Sequence, residues 1–195
     1  MQYSICISGA ADGKTVTSSS LLAERLGTAI AKRGHIVTTG ATVGLPFHAA
    51  KAAKEAGGMS IGFSPASSLR EHAFKYRLPI GVYDFVNFTG MDYVGRDIHL
   101  VQSSDAIITV GGRMGSLHEF TTAIESNMPC GVLIGSGGTA DLIPELIQRL
   151  ETPRRKLVVM DENPEKLVEK IVAMLDEDLK DINTDDLVTI WLSKK

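Results

Sequence analysis

The feature that most constrains this chain is an alternation. Short apolar runs, each closed by glycine, serine or proline, are separated by longer amphipathic stretches. Residues 3–7, 36–39, 59–63, 85–88, 106–110, 130–134 and 157–160 read as strands. Residues 21–33, 43–56, 91–103, 116–126, 140–150 and 164–175 read as helices, with apolar residues at helical spacing such as Leu22, Leu26, Ala29 and Ile30. Gly34 stops the first helix and Gly57-Gly58 the second. Residues 66–81 hold one short helix and a loop. Alternating strands and helices produce parallel strands, and a parallel sheet needs cover on both faces. The expectation is therefore α/β: a doubly wound parallel sheet of about seven strands with helices on both faces.

Such a sheet is Rossmann-like, and its right-handed crossovers bring every strand's carboxyl end to one edge, where ligands bind. Functional residues are expected in the turns after strands. The 195 residues suffice for one core. Residues 1–178 read as a single nucleotide-binding domain, and 179–195 as an acidic connection and tail. Within that tail, residues 187–192 form either an extra strand or a segment that packs on a neighbour.

The net charge of −3, with no long basic block, argues against nucleic acid as a partner. A mononucleotide needs only one or two well-placed cations. Cys6 and Cys130 each sit inside an apolar run and read as core thiols. No metal site is expected, because His99 and His118 have no second histidine or cysteine at ligand spacing. The start of the chain lacks the basic and apolar regions of a signal peptide, and no apolar run reaches the roughly 20 residues of a membrane helix. A cytoplasmic protein without a membrane partner is expected.

Three turns compete as sites. The first, Gly9-Ala10-Ala11-Asp12-Gly13-Lys14-Thr15, imitates a P-loop, but only three residues separate its glycines where four are needed. Val16-Thr17-Ser18-Ser19 is poor helix material, and no later strand ends in the acidic residue a Mg²⁺-nucleotide site wants. The dinucleotide fingerprint is also missing: strand two ends in Thr38-Thr39. The second turn runs Gly40-Ala41-Thr42-Val43-Gly44. Thr42 suits a helix N-cap with an anion site behind it, or the turn is simply capped.

The third turn is the strongest signal: Gly111-Gly112-Arg113-Met114-Gly115-Ser116-Leu117-His118-Glu119, directly after the strand at 106–110. Glycines let the backbone approach a ligand with positive φ. Ser116 can open a helix whose free N–H groups and dipole face an anion. Ser116 and Glu119 also have the spacing of a capping box, in which Glu119 only returns a bond to the turn. A capping box alone does not require three glycines in five positions. Upstream, Gly95-Arg96-Asp97 opens a helix that leads back into the same strand.

These residues resemble the LOG family, whose older label is possible lysine decarboxylase, within the wider SLOG group of Rossmann-like nucleotide-binding proteins. The family motif Gly-Gly-x-Gly-Thr-x-x-Glu, preceded by a further Gly in one bacterial and archaeal branch, resembles residues 111–119. The family's upstream Arg corresponds to Arg96, 23 positions before Glu119. Thr42-Val43-Gly44-Leu45 and Glu55-Ala56-Gly57-Gly58-Met59-Ser60-Ile61-Gly62 are similar to its second turn and third strand.

The resemblance implies a nucleoside 5′-monophosphate, AMP-like, as ligand or substrate, with no further cofactor. It implies one of two functions. The first is a phosphoribohydrolase that cuts the N-glycosidic bond to give base and ribose 5-phosphate. The second is a non-catalytic nucleotide or molybdenum-cofactor binding or carrier protein. In the hydrolase, Glu119 would stabilise an oxocarbenium-like state and activate water, and Arg96 would orient Glu119 or neutralise nearby charge. Gly9, Gly40, Thr42, Gly111, Gly112, Arg113, Met114, Gly115 and Ser116 would hold the phosphate. Relatives commonly pair through helices beside the site, so a homodimer through residues 91–103 and 120–128 is expected. The chain departs from the family at Arg113 (usually Gly), Met114 (usually aromatic) and Asp97 (often Lys). Arg113 either clamps the phosphate or fills the site.

Overall fold

Seven strands form one sheet in the computed structural model, which describes residues 1–182. They are β1 (Ser4–Gly9), β2 (Ile36–Thr39), β3 (Ser60–Ser64), β4 (Phe85–Phe88), β5 (Ala106–Val110), β6 (Cys130–Leu133) and β7 (Val158–Asp161). The order is β4-β3-β2-β1-β5-β6-β7, and every neighbouring pair is parallel. Between them run α1 (Lys14–Lys32), α2 (Leu45–Glu55), the short α3 (Leu69–Phe74), α4 (Asp92–Gln102), α5 (Met114–Glu125), α6 (Gly138–Arg149) and α7 (Pro164–Asp178). A 3₁₀ turn, Pro153–Leu157, leads into β7. The segment 187–192 lies outside the described residues. No helix among the described residues is long and apolar enough to cross a membrane.

β5 is buried at all five positions, which explains its unbroken apolar run. The pleat sorts alternate residues to opposite faces. Ile5, Ile7, Val37, Ile108 and Val110 pack with Leu26, Ile30, Leu45 and Ile171 from α1, α2 and α7. On the other face, Cys6, Ile107, Cys130 and Val132 pack with Leu100, Phe120, Ala123 and Ile143 from α4, α5 and α6. Strand order reverses between β1 and β5, where Ser8 is in register with Thr109 and Gly9 with Val110. That switch point opens a crevice at the carboxyl edge.

Helix starts differ from the sequence reading, and three of the differences lie beside the carboxyl edge of the central strands. α1 begins at Lys14, seven residues before the expected start at 21, after Gly13 at φ 93°. Tertiary contacts override the poor propensity of its Thr/Ser stretch: Val16 packs on the core, and buried Ser19 Oγ donates to the Ser136 carbonyl at 2.9 Å. A helix therefore does start at Lys14-Thr15, which removes one of the grounds against a P-loop. The glycine spacing remains, and the one strand among the described residues that ends in an acidic residue, β7 at Asp161, lies at the edge of the sheet, where Asp161 pairs with Lys170. α2 starts at Leu45, capped by Gly44 rather than Thr42. Gly44 must be glycine: at φ 77° its hydrogen faces the Ala10 carbonyl, and a Cβ would lie 2.3 Å from that oxygen. α5 starts at Met114, two residues before Ser116.

Candidate functional site

A cleft of about 240 Å³ lies at the switch point, walled by the turns after β1, β2 and β5 and by the front of α4. Its floor is polar. Arg96 and Asp97 from α4 and Glu119 from α5 are all buried beneath it. Ser8, the last inward residue of β1, donates from Oγ to Glu119 Oε2 in a short hydrogen bond. Arg96 Nη1 lies 3.3 Å from Glu119 Oε1 and 3.4 Å from Asp97 Oδ1. Asp97 Oδ2 is in turn 2.9 Å from His118 Nδ1. Arg96 Nε is buried without a hydrogen-bond partner among the described residues.

The guanidinium reaches this floor because residue 40 is glycine. A Cβ there would sit 1.9 Å from Arg96 Nη1. Burial holds the Glu119 carboxyl above the usual carboxylate range; Arg96 pulls it down, Asp97 pushes it up, and the Ser8 hydroxyl pulls it down. A carboxyl so placed is suited to taking and returning a proton near neutral pH.

The capping box does not form. Residue 113 occupies the N-cap of α5 with no side-chain cap, so Ser116 falls inside the first turn and Glu119 a full turn beyond the capping position. Positive φ at Gly111 (55°) and Gly112 (103°) swings the chain into the helix early. The turn is braced from the β6 side. Ser136 Oγ accepts from Gly111 N at 2.8 Å, and Thr139 Oγ1 donates to the Arg113 carbonyl at 2.8 Å. Thr139 N and Ala140 N donate to the carbonyls of Gly112 and Gly111. A start without a side-chain cap leaves first-turn N–H groups free. Gly115 and Ser116 line the cleft, and a Cβ on Gly115 would meet nothing within 4 Å.

Of the residues singled out in the sequence, Gly9, Gly40, Thr42, Arg96, Arg113, Gly115, Ser116 and Glu119 line this one cleft. Gly111, Gly112 and Met114 do not; the two glycines shape the turn, and Met114 is exposed. Thr42 lines the wall, and its Oγ1 donates to the Val43 carbonyl at 3.3 Å instead of capping α2. Arg113 pairs with Asp12 across the mouth. Sequence reasoning missed Ser8, although its polar side chain shares a strand face with buried Cys6. It read Asp97 only as a departure from the resembled family, and His118 only as lacking a partner at metal-ligand spacing. The bracing role of Ser136 and Thr139 left no pattern to read.

The profile of the SLOG cluster4 family matches residues 2–168. Over 125 residues the chain is 31% identical to an uncharacterized protein of Archaeoglobus fulgidus, covering 64% of this chain and 74% of that one. Among solved structures it is similar to the molybdenum cofactor binding protein of Rippkaea orientalis, with TM-score 0.73, 27% identity, and 90% and 98% of the two chains covered. It is also similar to the molybdenum cofactor carrier protein of Chlamydomonas reinhardtii, with TM-score 0.70, 25% identity, and 89% and 99% covered.

Proposed function

Because the chain belongs to the SLOG cluster4 family, a group with a nucleotide-binding fold, we propose that its cleft holds a nucleoside 5′-monophosphate and hydrolyses the N-glycosidic bond. The products are free base and ribose 5-phosphate. The observation that carries this reading is the position of Glu119: its carboxyl is held in the cleft floor by Ser8 and Arg96 rather than spent on capping its own helix. As the bond to the base breaks, positive charge grows on the ribose. The Glu119 carboxylate stabilises that charge, takes a proton from the attacking water and passes it to the nitrogen of the departing base. Ser8 and Arg96 keep one form of the carboxyl oriented. The phosphate meets the free N–H groups at the start of α5, with Arg113 above them.

A second reading has its own support: the two solved structures just described carry molybdenum cofactor binding and carrying in their names. On this reading the same phosphate pocket holds a larger ligand without turnover. Incubating the protein with AMP and N6-substituted AMP and looking for free base separates the two. Base release that falls by about two orders of magnitude in Glu119→Gln, with AMP binding retained, supports hydrolysis. AMP bound with no base released from any monophosphate supports the carrier.

The partner expected at the outer face of α4 is a second copy. That helix exposes Val94 and Ile98 beside Met91, and closed two-fold pairing is the common solution for such a face. Light scattering should return twice the chain mass of 20.9 kDa; a monomer at micromolar concentration would retire the dimer.

A further inference from the structure

The charges in the cleft floor do not balance. A single guanidinium, Arg96, serves two carboxyl groups, Asp97 and Glu119, and the three side chains are 5%, 9% and 11% exposed. With both carboxyls ionised the cluster would hold an uncompensated buried negative charge, which is costly in a low-dielectric site. A proton kept inside the cluster removes that cost. Burial and the neighbouring Asp97 already push Glu119 toward holding it.

Only one ionisable member of the cluster reaches solvent. His118 is 39% exposed and its Nδ1 touches Asp97 Oδ2 at 2.9 Å. Arg113 lines the same cleft and is paired with Asp12, and the remaining groups beside the cluster are hydroxyls and a thiol. Ser8 and Cys6 come from β1, the Cys6 thiol being pushed well up by burial. The Tyr83 and Tyr93 hydroxyls lie within reach of the Arg96 charge. Histidine is the side chain that changes charge near neutral pH.

We infer that Asp97 and His118 make anion binding in this cleft proton-coupled: a phosphate-bearing ligand entering beside Arg96 brings a proton into the Asp97–Glu119–His118 cluster. The inference rests on the cleft being a phosphate site. It gives the protein an affinity for phosphate monoesters that falls as pH rises past neutrality, and no such dependence for an uncharged nucleoside.

Two measurements on the full chain test it. Carboxyl-carbon NMR of the ligand-free protein follows the titration of Glu119. Asp97→Asn removes a negative neighbour and should lower the Glu119 midpoint by about one pH unit. His118→Gln replaces the imidazole paired with Asp97 by a side chain that cannot take a proton, and should raise it by about half a unit. Opposite shifts support the cluster; an unmoved Glu119 in His118→Gln, or two shifts in the same direction, overturns it. Calorimetry of AMP binding in buffers of different ionisation enthalpy then counts protons. The wild type should take up as much as about one proton beyond AMP's own change, His118→Gln measurably less, and adenosine should show none with either protein. AMP binding without that uptake also overturns the coupling. Failure of AMP to bind sinks the phosphate-site reading instead, and the NMR shifts still decide the cluster.

Discussion

The two faces of the sheet are built from the same strands by opposite rules. On the α1–α2–α7 face, Ile5 and Ile7 of β1 enter a core of aliphatic side chains packed from one end to the other. On the α4–α5 face, Cys6 follows the same rule, but Ser8, one pleat further on, meets Glu119 and the Arg96–Asp97 pair. A single strand thus stabilises the fold with one side and furnishes a polar floor with the other. Stability and chemistry should accordingly respond to different variables: the dry face to volume, the polar face to charge and pH.

The largest expected effects test this division directly. Leu26, fully buried on the dry face, should lose about 3 kcal/mol on truncation in Leu26→Ala, by the same amount at pH 5 and pH 8. Arg96→Ala should cost about 3 kcal/mol at pH 8, because it strands two buried carboxylates. Losing the cation that pulls Glu119 down raises this carboxyl further above its unfolded value, so the penalty grows as pH climbs and shrinks on acidification. Urea unfolding at both pH values measures the contrast. If Arg96→Ala is as pH-insensitive as Leu26→Ala, the two faces do not differ in this way.

Two glycines sharpen the same comparison at a smaller scale. A Cβ on Gly27 would lie 2.0 Å from the Ala49 carbonyl oxygen, a backbone atom of the facing helix that cannot step aside. Gly27→Ala should cost about 2 kcal/mol by forcing α1 and α2 apart. At Gly40 the obstacle is the Arg96 guanidinium. Gly40→Ala should lose about 1 kcal/mol in urea, because the flexible guanidinium shifts yet still neutralises the carboxylates, but it should abolish most ligand binding or turnover by misplacing that group. Equal losses in both assays for both variants would break the distinction.

Next in size is the pH linkage of Glu119 itself. Its folded pKa is raised by burial above the unfolded value. Its contribution is intact below the unfolded pKa and is lost as pH rises through the folded one. Glu119→Gln should remove that slope and gain on the order of 1 kcal/mol relative to the wild type between pH 4 and pH 8. A wild-type stability curve that coincides with the variant's across this range contradicts the raised carboxyl.

How much of this was legible in sequence also divides by face. The dry face was, because period-2 and period-3.6 apolar patterns are local: β4 and β5 fall at 85–88 and 106–110 as read, and seven parallel strands follow. Helix starts were less legible. Thr42 and Ser116 are the residue types that cap, yet Gly44 at φ 77° and Gly111 and Gly112 at positive φ set where α2 and α5 begin. The polar floor was legible only in part. Glu119 and Arg96 stood out through a motif, whereas Ser8 reaches Glu119 across 111 positions and Asp97 reaches His118 across 21. No short-range pattern encodes those meetings; they follow from strand order.

The smallest expected effect lies at the mouth, where neither rule holds fully. Arg113 and Asp12 pair across the cleft with side chains 60% and 71% exposed. Such a surface pair contributes little to stability, so Arg113→Ala and Asp12→Ala should each leave the unfolding midpoint almost unchanged. Their effects on a phosphate ligand should be opposite. Arg113→Ala removes a cation from the start of α5 and should weaken AMP binding a few-fold, by about 1 kcal/mol at low salt and less in high salt. Asp12→Ala frees that guanidinium and removes a negative charge from the rim, so binding should tighten about as much. If both variants weaken binding equally, the pair acts as a structural clasp that shapes the mouth. If neither changes it, the phosphate rests on the helix N–H groups alone, and the Arg113 guanidinium takes no part in holding it.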